Sequence, residues 1–114
     1  MKKLLAVLTA TLMINSCSIV PVTGRHQLNM IPDSTMLSMS YQQYDDFLGK
    51  NKKSTNKQQT ELVKKVGHKV QKAVEKYLAD NGMADRISNY NWEFKLVESP
   101  EQNAWCMPGG KVVI

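Results

Sequence analysis

The chain has 114 residues and a mass of 12.9 kDa, with 15 lysines and arginines against 10 aspartates and glutamates. That length allows one domain at most, and a small domain buries proportionately less of its surface than a large one. The basic excess is concentrated: from Lys50 to Lys76 nine lysines meet only Glu61 and Glu75, with no arginine and no aromatic residue among them. A nucleic-acid surface would interleave arginines and stacking aromatics with that charge, so the stretch reads as a solvated lysine face on a helix, and nucleic acid is excluded as a partner.

In chain order, the first element is "MKKLLAVLTATLMINSC". Two lysines, an apolar run from Leu4 to Ile14 and small or polar residues before a cysteine are the layout of a secretory signal. The run falls short of the roughly 20 residues a membrane span takes. Ile14-Asn15-Ser16-Cys17 resembles a bacterial lipobox, which makes residues 1–16 a lipoprotein signal peptide and Cys17 the lipidation site. Several acyl chains on Cys17 would hold the protein to a membrane far more firmly than one. The alternative is an ordinary signal peptide with Cys17 free or disulfide-bonded. Ser18, standing where an aspartate would otherwise follow the cysteine, resembles the enterobacterial signal for the periplasmic face of the outer membrane. With Lys2 and Lys3 removed, 13 basic residues face 10 acidic ones, a net charge of +3. Cys106 is then left without a partner in the chain and is expected to be a buried free thiol, the alternative being a partner outside this chain.

Residues 17–31, with Pro21 and Gly24 and no periodicity, read as an extended lipidated tether. Pro32-Asp33-Ser34 supplies an N-cap, and Leu37, Tyr41, Tyr44 and Leu48 recur at helical spacing up to Gly49, with Met36 and Phe47 widening the apolar face. After the polar link "KNKKST", Leu62, Val66, Val70, Ala73 or Val74, and Tyr77 mark the apolar face of a second, longer helix ending at Asn81-Gly82. His68 falls among the lysines of its opposite face without a second ligand at i+4, and His26 is equally solitary.

From Asn91 the period changes to two: Trp92, Phe94 and Leu96 alternate with Glu93, Lys95 and Val97, as in a half-buried strand. Ser99-Pro100-Glu101-Gln102 is turn chemistry, Asn103 to Met107 a second strand, Pro108-Gly109-Gly110 a tight turn, and Lys111 onward a third strand. Helices followed by strands give an α+β class, two amphipathic helices over the first strands of a mixed sheet.

Gly109-Gly110-Lys111 is not a phosphate loop, because Ala104 and Val112 stand where that motif needs a glycine and a hydroxyl residue. No paired-carboxylate, Ser/His/Asp or Cys/His site can be assembled. Cys106, beside Trp105 among apolar neighbours, should have a raised pKa and be a poor nucleophile.

"VPVTGRHQLNMIPDS", "MSYQQYDDFL" and above all "NAWCMPGGKVVI" resemble the amino-terminal third of the HtpX-like and Oma-type zinc metallopeptidases, in their bacterial lipoprotein subgroup. The specific part is Asn103-Ala104 with Pro108-Gly109-Gly110, matching an NAxxxPGG pattern that leads into a β-branched strand. The resemblance implies that residues 32–114 are the amino-terminal part of a zincin-like protease domain. It also implies that Val112-Val113-Ile114 begins the strand before a helix carrying HExxH.

That pattern places two histidines one turn apart to hold zinc, with a glutamate that takes a proton from bound water. It does not occur in this sequence. Zinc is therefore the cofactor implied for the whole protein and none is expected on this chain alone, so no catalytic or metal residue is assigned. The implied partners are protein or peptide substrates and, through the anchor, a membrane. Asn103, Ala104, Pro108, Gly109 and Gly110 become candidate scaffold beside a substrate cleft, where an extended peptide could pair with an edge strand. The other reading, the commoner use of these residue types, is that Asn103 caps a turn and the glycines only make one. The competing readings of the whole are a small non-enzymatic lipoprotein that binds through its lysine-rich helix, and an inert truncated product.

Overall fold

The computed structural model describes Cys17 to Ile114, so the signal sequence and the residues preceding Cys17 in the lipobox-like motif lie outside the described residues. The chain divides into two compact units meeting at Asp33 and Ser34. In the first, β1 (Cys17–Ile19) pairs antiparallel with β2 (His26–Leu28), Cys17 opposite Leu28. Residues 17–31, read from the sequence as an extended tether, thus carry a short hairpin folded back on itself. Pro21 to Gly24 form the bend, closed by the Val20 amide donating to the Arg25 carbonyl at 2.8 Å, with Val22 at φ 71 and Gly24 at φ 66.

The second unit is α+β. Helix α1 (Asp33–Lys50) runs one residue beyond the glycine expected to stop it. Helix α2 (Lys57–Asp80) starts at Asn56, whose Oδ1 accepts from the Gln59 amide at 3.0 Å, satisfying one of the orphan donors of the first turn. It ends at Gly82 (φ 67), with the Met83 amide donating to Leu78 and the Gly82 amide to Ala79, the paired bonds of a Schellman stop. A 3-10 turn at Ala84–Ile87, which no sequence signal marked, leads to the sheet.

Three short strands, β3 (Glu93–Lys95), β4 (Trp105–Met107) and β5 (Lys111–Val113), stand in the order β3-β5-β4. The central β5 is parallel to β3, with Glu93 opposite Lys111, and antiparallel to β4, with Trp105 opposite Val113. Just past β3, the link between the helices closes that side: Lys53 bridges to Val97, the Ser54 amide donates to Leu96, and the Glu98 amide donates to Lys52. At the other side of the sheet β4 is an edge strand, with no pairing partner beyond it among the described residues.

Strand alternation sends neighbours to opposite faces, and here each face meets a helix. Phe94 is buried against Gly67 and His68 of α2. Glu93, Lys111 and Trp105 face α1, reaching Tyr44, Tyr41 and Phe47. Both sides of the expected half-buried strand are therefore in use. The apolar core is small, formed by Tyr44, Leu78, Phe94 and Val113.

The face that α2 turns to the sheet is a correction. Leu62, Val66, Val70 and Tyr77 are exposed, whereas Val63, Gly67, Gln71 and Val74 are half-buried and Leu78 is buried. The helix is rotated by roughly 100°, one residue, from the most apolar stripe. Gly67 explains the choice, because a Cβ there would fall inside the Phe94 ring.

Gly67→Ala should therefore gain helix propensity yet lose stability, by about 1 kcal/mol net, since overpacking a close contact outweighs the propensity gain. Gly49→Ala in α1, where a Cβ meets nothing within 4 Å, should instead stabilise by about 0.5 kcal/mol. Urea melts of the two variants check the opposite signs.

Candidate functional site

The residues singled out by sequence flank the edge strand β4, Asn103 and Ala104 before it and Pro108, Gly109 and Gly110 after it. Pro108, Gly109 and Gly110 join β4 to β5, with Gly109 at φ 91 and Gly110 at φ 77 and the Gly110 amide donating to the Met107 carbonyl at 3.2 Å. Proline followed by a positive-φ glycine is the order of a type II turn. The turn is fixed from both faces. Ser40, buried on α1, donates from Oγ to the Pro108 carbonyl at 2.6 Å. A Cβ at Gly109 would enter the Tyr41 ring, and one at Gly110 would stand 2.6 Å from Cδ2 of Trp92.

Asn103 and Ala104 do not join the strand. The Asn103 Oδ1 accepts from the Ala104 amide at 2.8 Å, taking the donor a ladder would need, and β4 starts only at Trp105. The expected five-residue strand is therefore three residues long, and Asn103 and Ala104 form an exposed approach to it.

Along β4 runs an open groove of about 580 Å³ between Gln43, Asp46, Phe47 and Lys50 of α1 and Trp105 to Met107. Its floor is the edge-to-face contact of Phe47 with Trp105, ring centroids 5.0 Å apart. Cys106 is exposed, not buried as expected, because its side chain points to the face opposite α1 at the sheet's open edge. Local desolvation still pushes its thiol pKa up.

Behind the groove is a polar cluster that periodicity did not reveal. Lys111 is almost fully buried and its Nζ lies 2.7 Å from Oε1 of Glu93. The same ammonium sits 4.9 Å from the Tyr41 ring centroid and 5.5 Å from that of Tyr44. The Tyr44 hydroxyl donates to Oε2 of Glu93 at 3.2 Å. The Lys111 hydrogen bond, opposed by desolvation, holds the Glu93 carboxyl below its ordinary pKa. Burial, then the Glu93 charge, pushes the Tyr44 phenol well above its own. The phenol therefore stays a donor at every ordinary pH. The one sequence signal for this cluster was Tyr41 and Tyr44 in the apolar stripe of α1, hydroxyl-bearing rings that must find partners when buried.

Chemically the arrangement offers open backbone groups on β4, a groove of mixed polarity beside them, and a rigid charged support. Cys17 is exposed at the start of β1. His26 lies in β2, and His68 on α2 places its ring edge-on to Phe94 at 5.2 Å. Among the described residues no group of three His, Cys, Asp or Glu side chains is placed to hold a metal ion. No described helix is long and apolar enough to cross a membrane. No protein-family profile, curated protein or solved structure matches the chain.

Proposed function

We propose that this chain is the amino-terminal portion of a zinc metalloendopeptidase of the HtpX-like and Oma-type kind. It would be lipid-anchored through Cys17 in the bacterial cell envelope and would act there in protein quality control. Residues 32–114 then form the front of a zincin-like domain, and their part in proteolysis is to hold substrate. The observation that carries the reading is the Pro108-Gly109-Gly110 turn of the NAxxxPGG pattern, clamped between Ser40, Tyr41 and Trp92 next to the open edge β4. An extended peptide adding to that edge would gain backbone hydrogen bonds, and its side chains would meet the groove at Phe47 and Trp105.

Among the described residues no group of side chains is placed to hold zinc, and no chemical step is assigned to them. On this reading zinc would be held by an HExxH helix outside the present sequence.

The test is to read the source DNA beyond the codon for Ile114. The expected result is an open frame that completes the strand and runs into HExxH, whose product contains zinc and cleaves casein until a chelator is added. A stop codon directly after Ile114, or a product that binds no zinc, would overturn the reading.

A further inference from the structure

The outward face of α2 is unusual for a helix packed on a sheet. Leu62, Val66, Val70 and Tyr77 are 59%, 51%, 55% and 44% exposed, and Ala73 is exposed between them. At about 100° per residue these five positions fall within a sector of roughly 80°. Immediately beside that sector, over the next roughly 80°, come Lys65, Lys69, Lys72 and Lys76, all exposed. Lys76 is paired with Asp80 at 2.7 Å, while Lys65, Lys69 and Lys72 have no acidic partner among the described residues. The other acids of the helix, Glu61 and Glu75, project on the far side of the lysines, so no acid interrupts the apolar stripe between Leu62 and Tyr77.

We infer that this face of α2 docks on the surface of a membrane rich in anionic phospholipid, with the helix lying in the interface plane. An apolar stripe bordered by a lysine row is the composition of helices that bury one side at the boundary of headgroups and acyl chains. Leu62, Val66 and Val70 supply the buried area, Tyr77 the amphipathic ring suited to the headgroup level, and the lysines the attraction to phosphate. Charge complementarity argues for this occupant, because an anionic headgroup layer matches the lysine border whereas a second copy would bring only the same positive charge. The inference concerns the outer face of α2 and not the groove along β4.

The test uses the chain from residue 17 to residue 114 with Cys17→Ser, so that neither the apolar signal segment nor a lipid anchor contributes. Sedimentation is measured with vesicles of phosphatidylglycerol in phosphatidylcholine and with phosphatidylcholine alone. Binding is expected on the anionic vesicles, and Lys69→Glu/Lys72→Glu should weaken it by about twentyfold or more, each lysine near an anionic surface being worth about fivefold. Val66→Ser/Val70→Ser should abolish most of what remains at high salt. Lys50→Glu/Lys57→Glu, with the same charge change off the stripe, should weaken binding far less. Circular dichroism confirms that each variant keeps its helices.

Equal binding to both vesicle types, or equal loss in the off-stripe pair, overturns the inference. So does a dimer in gel filtration that Val66→Ser/Val70→Ser dissolves while no vesicle binding is found, which would assign the face to a second copy.

Discussion

Glu93→Ala is expected to cost about 3 kcal/mol, the low end of the range for breaking a buried ion pair, because it strands the Lys111 ammonium without a counter-charge. The loss is asymmetric. Lys111 is 3% exposed, whereas the Glu93 carboxylate keeps contact with water and with Lys95 at 3.9 Å. Lys111→Met, which retains the aliphatic stem against Tyr41 and Tyr44 and leaves Glu93 partly solvated, should therefore cost only about 1 kcal/mol.

The pair also sets a pH dependence. The folded pKa of Glu93 lies below its unfolded value, so the unfolded chain binds more protons in that interval and stability rises with pH across it. The contribution is fully present above the ordinary carboxylate value of 4.5 and fades as pH falls through the depressed one. Glu98, held low by Lys52 at the surface, acts in the same direction, so wild type alone does not isolate the pair. Urea melts of wild type and Lys111→Met from about pH 3 to pH 7 do. The variant should show a shallower loss on the acid side. Curves that stay parallel throughout would mean that Glu93 gains nothing from Lys111.

The cluster also marks where the sequence stopped being informative. Both long helices, their approximate ends and the turn at Pro108 were legible, because each rests on a local signal: a cap, a stop glycine, or a proline and glycine in order. The rotation of α2 was not. Its two apolar bands lie side by side on the helix, and the band through Leu62 and Val66 is the more hydrophobic. The band through Gly67 wins because Phe94, 27 residues later, needs the notch that only a glycine leaves.

Glu93 likewise carries a local pattern that assigns it to solvent. It turns inward because parallel pairing sets it opposite Lys111, and that register is a property of two strands and not of either alone. Asn103 fell between the two cases. Its tendency to bond its own neighbourhood was recognised as turn chemistry, and it shortened β4 as that chemistry would.

The second large effect is expected at the turn. Gly110→Ala should destabilise by about 3 kcal/mol, combining the cost of a side chain at positive φ with that of overpacking against Trp92. Gly110 is at φ 77, and the added Cβ would meet Cδ2 and Cε3 of Trp92 at 2.6 and 2.7 Å, a ring held in turn between Tyr90 and Phe94 and unable to step aside freely. Gly109→Ala should cost at least as much, because the intruded ring is Tyr41, which also faces the Lys111 ammonium. Moving Tyr41 would loosen the ion pair behind it.

Gly82→Ala separates the two causes. Its φ of 67 carries the same conformational cost, but its Cβ would find nothing within 4 Å, so a loss of only about 1 kcal/mol is expected there. Chemical denaturation of the three variants decides between the causes. Near-equal losses would reduce the glycines to turn formers, whereas a surplus at Gly109 and Gly110 makes them the points through which α1 and the sheet jointly fix the edge strand β4.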